Sequence, residues 1–203
     1  MLMKLRFAIF MIAAMCMCWL VGCEDEDTVT NSQRQAIERY LQQNHQPRLV
    51  SRQVAEQSGD TEFYDVWGLN TYRYISTMYA EGRDEKPVVE MGDDVELSLT
   101  AYVFSGGQPR AEAIYFTNEQ AQIDRLVGLG LNTEFWSAEP MKLRLGSGDI
   151  IKGVEKALIG CHEGDAVEVY MTKESAYGKH AVGIVPKDAS IAWWFTITAV
   201  NKR

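Results

Sequence analysis

Gly146-Ser-Gly-Asp-Ile-Ile-Lys-Gly-Val154 is the stretch that decides the fold of this 203-residue chain. An alternating run leads into it, with Met141, Leu143 and Leu145 set against Lys142 and Arg144. Such alternation lays one face of a strand on a core. Ile159-Gly-Cys-His-Glu-Gly-Asp165, Ala176-Tyr-Gly178 and Val185-Pro-Lys-Asp-Ala-Ser-Ile191 follow in that order.

Working outward, Val167, Val169 and Met171 alternate with Glu168 and Tyr170. Ile191, Trp193, Phe195, Ile197 and Ala199 alternate with Trp194, Thr196 and Thr198 in a closing strand. Upstream, Val95, Leu97, Leu99, Ala101 and Val103 alternate with Glu96, Ser98, Thr100 and Tyr102, up to a turn at Gly106-Gly107. Another strand signal begins at Thr71, whereas residues 48–66 are weakly patterned. Thr117-Asn-Glu-Gln120 matches a capping box and opens a helical pattern through Ala121, Ile123, Leu126 and Val127. Ser32-Gln-Arg-Gln35 matches a second box, predicting a helix over 33–44 with Ile37, Tyr40 and Leu41 at helical spacing. A helix that short needs a surface to pack on, its own domain before any partner. Antiparallel-type strands with short helices between them read as α+β, one curved sheet wrapped on a helix.

The order of motifs resembles the FK506-binding-protein-type (FKBP) peptidyl-prolyl cis-trans isomerase domain, over residues 68–200. The family's Val-Ile-x-Gly-Trp segment, which starts its helix, is here Ile150-Ile-Lys-Gly-Val154. Its Gly-Met-x-x-Gly turn is Gly160-Cys-His-Glu-Gly164, its Ala-Tyr-Gly element is Ala176-Tyr177-Gly178, and its Ile-Pro-x-x-Ala-Thr is Val185-Pro-Lys-Asp-Ala-Ser190. The resemblance implies a shallow apolar pocket for a proline side chain, with unfolded or proline-containing polypeptides as substrates. By the same likeness Tyr177, Ile151 and Ile150 would act on the substrate. Tyr115, Met141, Val154, Val185, Trp193, Leu99 and Phe116 would form the pocket. Three positions depart from the family: Val154 replaces the pocket-floor Trp, Phe116 replaces an Asp, and Leu99 replaces a strand Tyr. These departures make the cleft more apolar and open a second reading, a non-catalytic peptide-binding or chaperone module on the same scaffold.

Rotation about X-Pro breaks no bond. It faces a barrier of ~18–20 kcal/mol set by amide resonance and takes tens to hundreds of seconds uncatalysed. No acid, base, nucleophile, metal or cofactor is required; an apolar grip that favours the twisted amide suffices. Accordingly, none of the usual reactive sets is present. His45, His162 and His180 lack metal spacing, Gly146-Ser-Gly148 is too short to cradle a phosphate, and Ser147 has no nucleophile-elbow frame.

The N-terminus points to export. Lys4 and Arg6 precede an apolar run from Phe7 to Val21, too short to span a bilayer comfortably, so the segment reads as a signal peptide. Leu20-Val21-Gly22-Cys23 resembles the lipobox of bacterial lipoproteins, which implies lipidation of Cys23 and anchoring to the outer membrane, on its periplasmic side or at the surface. Of the four cysteines, Cys16 and Cys18 leave with the signal and Cys161 remains as a small buried hydrophobe. Loss of Lys4 and Arg6 takes the net charge from −8 to −10, which argues against nucleic acid as a partner. The expected organisation is a signal peptide over 1–22 and an acidic tether over 23–31. A helical extension over 32–67 and an FKBP-like domain over 68–203 follow, with a helical insertion at about 108–134 that could cover the cleft.

Overall fold

The computed structural model describes residues 26–203 except 131, 133 and 135. The signal segment and Cys23 lie outside the described residues.

Helix α1 (Glu26–Arg39) opens the described fold and widens into a π turn at Tyr40–Asn44. It starts seven residues before the capping box predicts. Residues 26–31 are therefore helical rather than a tether, and Ser32 lies inside the helix. Strand β1 (Val50–Ser51) and helix α2 (Arg52–Ser58) occupy the weakly patterned stretch, where the Ser51 hydroxyl accepts from the Val54 amide at 3.4 Å. Then come β2 (Phe63–Trp67), β3 (Thr71–Ile75), β4 (Asp94–Phe104), β5 (Ile114–Thr117), α3 (Gln120–Gly128), β6 (Met141–Arg144), α4 (Lys152–Leu158), β7 (Ala166–Met171) and β8 (Ser190–Asn201).

The strands form one sheet in the order β1-β2-β3-β7-β8-β4-β5, with β6 also on β4. The long β4 serves both neighbours: Asp94–Leu97 pairs with β6 and Thr100–Tyr102 with β5. Among the described residues, only β1–β2 is parallel. The fold is α+β, as the sequence predicts.

Both faces of the sheet are covered. On one, α4 packs Val154, Ala157 and Leu158 into a mainly aliphatic cluster with Leu97, Leu99, Val169, Met171 and Ile191. Two features set this helix in place. Gly153 allows close approach, since a Cβ there would meet Met171 Sδ at 2.5 Å and the Ser175 carbonyl at 2.8 Å. At the other end, buried Arg73 of β3 donates through Nη1 to the carbonyls of Ala157 and Ile159, both at 2.9 Å, satisfying helix-end acceptors. Cys161 is fully buried nearby, and burial pushes its thiol up to about 11, so it behaves as a hydrophobe rather than a reactive group.

The opposite face is aromatic. Tyr72, Tyr170, Ala192 and Tyr102 sit side by side across β3, β7, β8 and β4. Ile37, Tyr40 and Leu41 from the end of α1 close over this face. Helix α3 contributes Leu126 to the same aromatic cluster, so the helix of the 108–134 stretch packs behind the sheet, whereas its strand β5 brings Tyr115 and Phe116 to the α4 cluster.

Candidate active site

The candidate site forms where α4 meets β4, β5, β6 and β8. A register shift in β4–β5 shapes it. Thr100 pairs with Thr117 and Ala101 with Phe116, but Tyr102 pairs with Ile114, leaving Tyr115 as the extra residue of a bulge. Regular alternation would send Tyr115 and Phe116 to opposite faces; the bulge turns both toward the α4 cluster. Buried Asn118 fixes this edge. Its Oδ1 accepts from Leu99 N at 2.6 Å, and its Nδ2 donates to the carbonyls of Leu97 (2.8 Å) and Glu139 (3.0 Å). Thr117 Oγ1 adds a bond to the Leu99 carbonyl at 2.9 Å.

Trp193 of β8 lies beside Ala101 and Val169 in the sheet, and the small Ala101 leaves room for an indole. Its Nε1 donates to the Tyr115 hydroxyl oxygen at 2.5 Å. The Tyr177 hydroxyl donates to the same oxygen at 3.4 Å, with the two phenol rings edge-on at 6.1 Å. Burial holds the Tyr115 phenol far above its ordinary range, so it stays neutral.

The residues singled out in the sequence divide into two layers. Tyr115, Phe116, Met141, Ile150, Ile151 and Tyr177 are half-buried and form the rim. Leu99, Val154, Val185 and Trp193 are buried and back the cleft from below. Ile150, Ile151, Ala176 and Tyr177 line one open depression of about 450 Å³ together with Lys152, Glu155, Lys173 and Glu174. A larger open groove of about 1020 Å³ lies between Val103–Ala113 and the Ile184–Pro186 tip. No charge stands at Phe116, but those lysines and glutamates line the depression beside Tyr177.

Val154 of α4 and Trp193 of β8 lie in the same buried cluster, so the indole enters it from the sheet. Sequence reasoning missed Asn118, whose only signal was its place at the end of Ile114-Tyr-Phe-Thr-Asn118. It also missed Arg73, which has no pattern signal within its strand. Among the described residues, no group of three or more His, Cys, Asp or Glu could hold a metal ion, and no helix is long and apolar enough to cross a membrane.

Residues 125–198 match the model of the FKBP_C family, FKBP-type peptidyl-prolyl cis-trans isomerase. Over these residues the chain is similar to that family. The match starts within α3 and ends within β8, so Leu99, Tyr115 and Phe116 fall outside it although the fold brings them to the same cleft. Among solved structures, the three FKBP domains of wheat FKBP73 are similar at 14% identity with a TM-score of 0.49. That likeness covers 67% of this chain and 48% of the wheat chain, about half its length, and is too remote to carry an argument. No curated protein matches the chain.

Proposed function

We propose that this protein is a peptidyl-prolyl cis-trans isomerase of modest activity, acting on X-Pro bonds of exported proteins from a lipid anchor at Cys23 in the cell envelope. The observation that carries this reading is the meeting of Tyr115, Tyr177 and Trp193 at a rim that also carries Ile150, Ile151, Met141 and Phe116.

The proline ring would enter the apolar rim, and the Tyr177 and Tyr115 hydroxyls would hold a neighbouring carbonyl in register. Removing the prolyl amide from water weakens the planar, charge-separated resonance form and lowers the cost of twisting it. The protein then needs only to bind the twisted amide better than either planar isomer. Activity is modest on this account because Phe116, Leu99 and Val154 supply neither the polar groups nor the flat aromatic floor of the family. The basic leader, the apolar run and Leu20-Val21-Gly22-Cys23 support the anchor.

A second reading, a non-catalytic peptide-binding or chaperone module, is favoured by one observation: the Tyr177 hydroxyl is already bonded to Tyr115. An exchange assay on an Xaa-Pro peptide separates the two. Under the first reading the chain accelerates isomerisation. Tyr177→Phe lowers kcat/KM roughly threefold to tenfold, the worth of one hydrogen bond, and Ile151→Ala lowers it at least as much. A folded protein that binds the peptide without accelerating it is a binding module. Incorporation of a labelled fatty acid that Cys23→Ser abolishes would support the anchor, and incorporation unchanged by that variant would refute it.

A further inference from the structure

We infer that Gln33, on helix α1, is a positioning residue for the Tyr177 loop. This rests on the assignment of Tyr177 to the site.

Residues 172–189 carry Tyr177 and Val185 between β7 and β8 as a loop with one short 3-10 turn, Lys173–Ser175. Gln33 touches both feet of this loop. Its Oε1 accepts from the Lys173 amide at 2.9 Å, and its Nε2 donates to the Asp188 carbonyl at 2.6 Å. Two further bonds complete a circuit: Gly178 N donates to the Lys173 carbonyl at 3.0 Å, and Asp188 N donates to the Gly178 carbonyl at 2.8 Å. The four bonds close a ring that runs from Gln33 to Lys173, to Gly178, to Asp188 and back. Gly178 follows Tyr177 directly, so the ring fixes the backbone on which the phenol stands.

The chemistry of the ring selects a carboxamide. Lys173 N–H can only donate and the Asp188 carbonyl can only accept, and Gln supplies one group of each kind. That complementarity also settles which end of the amide is oxygen. A carboxylate of the same size would accept from Lys173 but oppose the Asp188 carbonyl. Further contacts surround the ring. Lys173 Nζ pairs with Asp188 Oδ1 at 3.1 Å, and α1 adds Thr30 Oγ1 to Glu174 at 3.3 Å and Arg34 to Asn70 at 3.0–3.2 Å. Asn70 in turn accepts from Thr172 Oγ1 at 2.9 Å. Asp188 holds a left-handed backbone with φ of 57°, a conformation that persists only where its surroundings impose it.

The test uses the full chain in detergent with Gln33→Leu, Gln33→Glu and Tyr177→Phe. Hydrogen exchange is expected to rise roughly tenfold across 172–178 and 186–190 in both Gln33 variants, consistent with loss of one or two bonds, while β4 and β8 stay protected. Affinity for an Xaa-Pro peptide falls severalfold, because the competent loop is populated for a smaller fraction of the time. In the Tyr177→Phe background Gln33→Leu has little further effect on peptide affinity, since both changes remove the same placed hydroxyl. Unchanged loop exchange, or full additivity of the two substitutions, overturns the inference. Neither readout needs turnover, so a chain that fails to isomerise the peptide refutes the isomerase reading and leaves the clamp to be scored by exchange alone.

Discussion

The two faces of the sheet differ in chemistry. The α4 face is aliphatic at its centre, with side-chain hydroxyl and indole contacts at the Tyr115–Tyr177–Trp193 junction and Arg73 at the end of α4. The α1 face is built of tyrosines whose hydroxyls are tied to partners from several elements: Tyr40 to Gln108 at 2.7 Å, Tyr64 to Gln42 at 2.9 Å, Tyr72 to Glu38 at 3.0 Å and Tyr74 to Glu62 at 2.7 Å. His45 is buried there, its Nε2 facing Glu168 at 3.0 Å and its Nδ1 facing the Pro47 carbonyl at 2.5 Å. A half-open aliphatic face suits a passing apolar group. A closed face of bonded phenols suits a permanent partner, the chain's own N-terminal helix. The difference separates a half-open surface from a closed one.

The largest effect is expected on the closed face. Tyr40 is fully buried, edge-on to Phe104 at 5.4 Å and near Tyr170 at 5.5 Å. Tyr40→Ala should cost about 3–5 kcal/mol, read as a lower midpoint in denaturant. A loss below about 1 kcal/mol would show that α1 is only loosely docked and would break the comparison. On the α4 face, Gly153→Ala should cost about 1–3 kcal/mol by overpacking, because the Ser175 carbonyl is backbone and cannot give way as Met171 can. It should also weaken peptide binding, as α4 carries one side of the cleft. Wild-type stability in that variant would mean that α4 does not sit this close to β7.

A smaller effect is expected from His45. Burial works to lower its pKa, but the bonds to Glu168 and the Pro47 carbonyl outweigh it and the folded value is raised. A raised value means that the stabilisation is complete below the ordinary ~6.5 and is lost as pH climbs through the folded pKa. The denaturation midpoint should therefore fall with rising pH above about 6.5, and His45→Gln should flatten that dependence. A midpoint that rises over the same interval would contradict the pairing.

These faces were unequally legible in the sequence. Alternation exposed the α4 side of β4, β6, β7 and β8, because Val, Leu and Ile occupy its inward positions. The same alternation assigned Tyr102, Tyr170 and Trp194 to the outward side, where an amphipathic ring reads as solvent-facing. All three lie in or against the aromatic cluster instead. What misled was composition, not period: a strand buried on both faces shows a near-continuous apolar run, as Ala101-Tyr-Val-Phe104 does. Helix α1 was misplaced at its start because its first turns are polar and are held by long-range bonds through Thr30, Gln33 and Arg34, which no local pattern signals. At the site, Ile150, Ile151 and Tyr177 came from motif order alone. The aim of Tyr115 depends on a bulge, and a one-residue slip between paired strands leaves no trace in either strand's own sequence.

Adjacent indoles offer the most direct test of the central claim, that X-Pro segments bind on the α4 face. Trp193 Nε1 donates to Tyr115 in the cleft, while Trp194 Nε1 donates to Tyr170 behind the sheet at 3.1 Å. An Xaa-Pro peptide titrated into the protein, with the two indole N–H signals assigned by Trp193→Phe and Trp194→Phe, should move the Trp193 resonance progressively and leave Trp194 in place. Movement of Trp194 alone, or of neither signal at saturating peptide, would contradict the account.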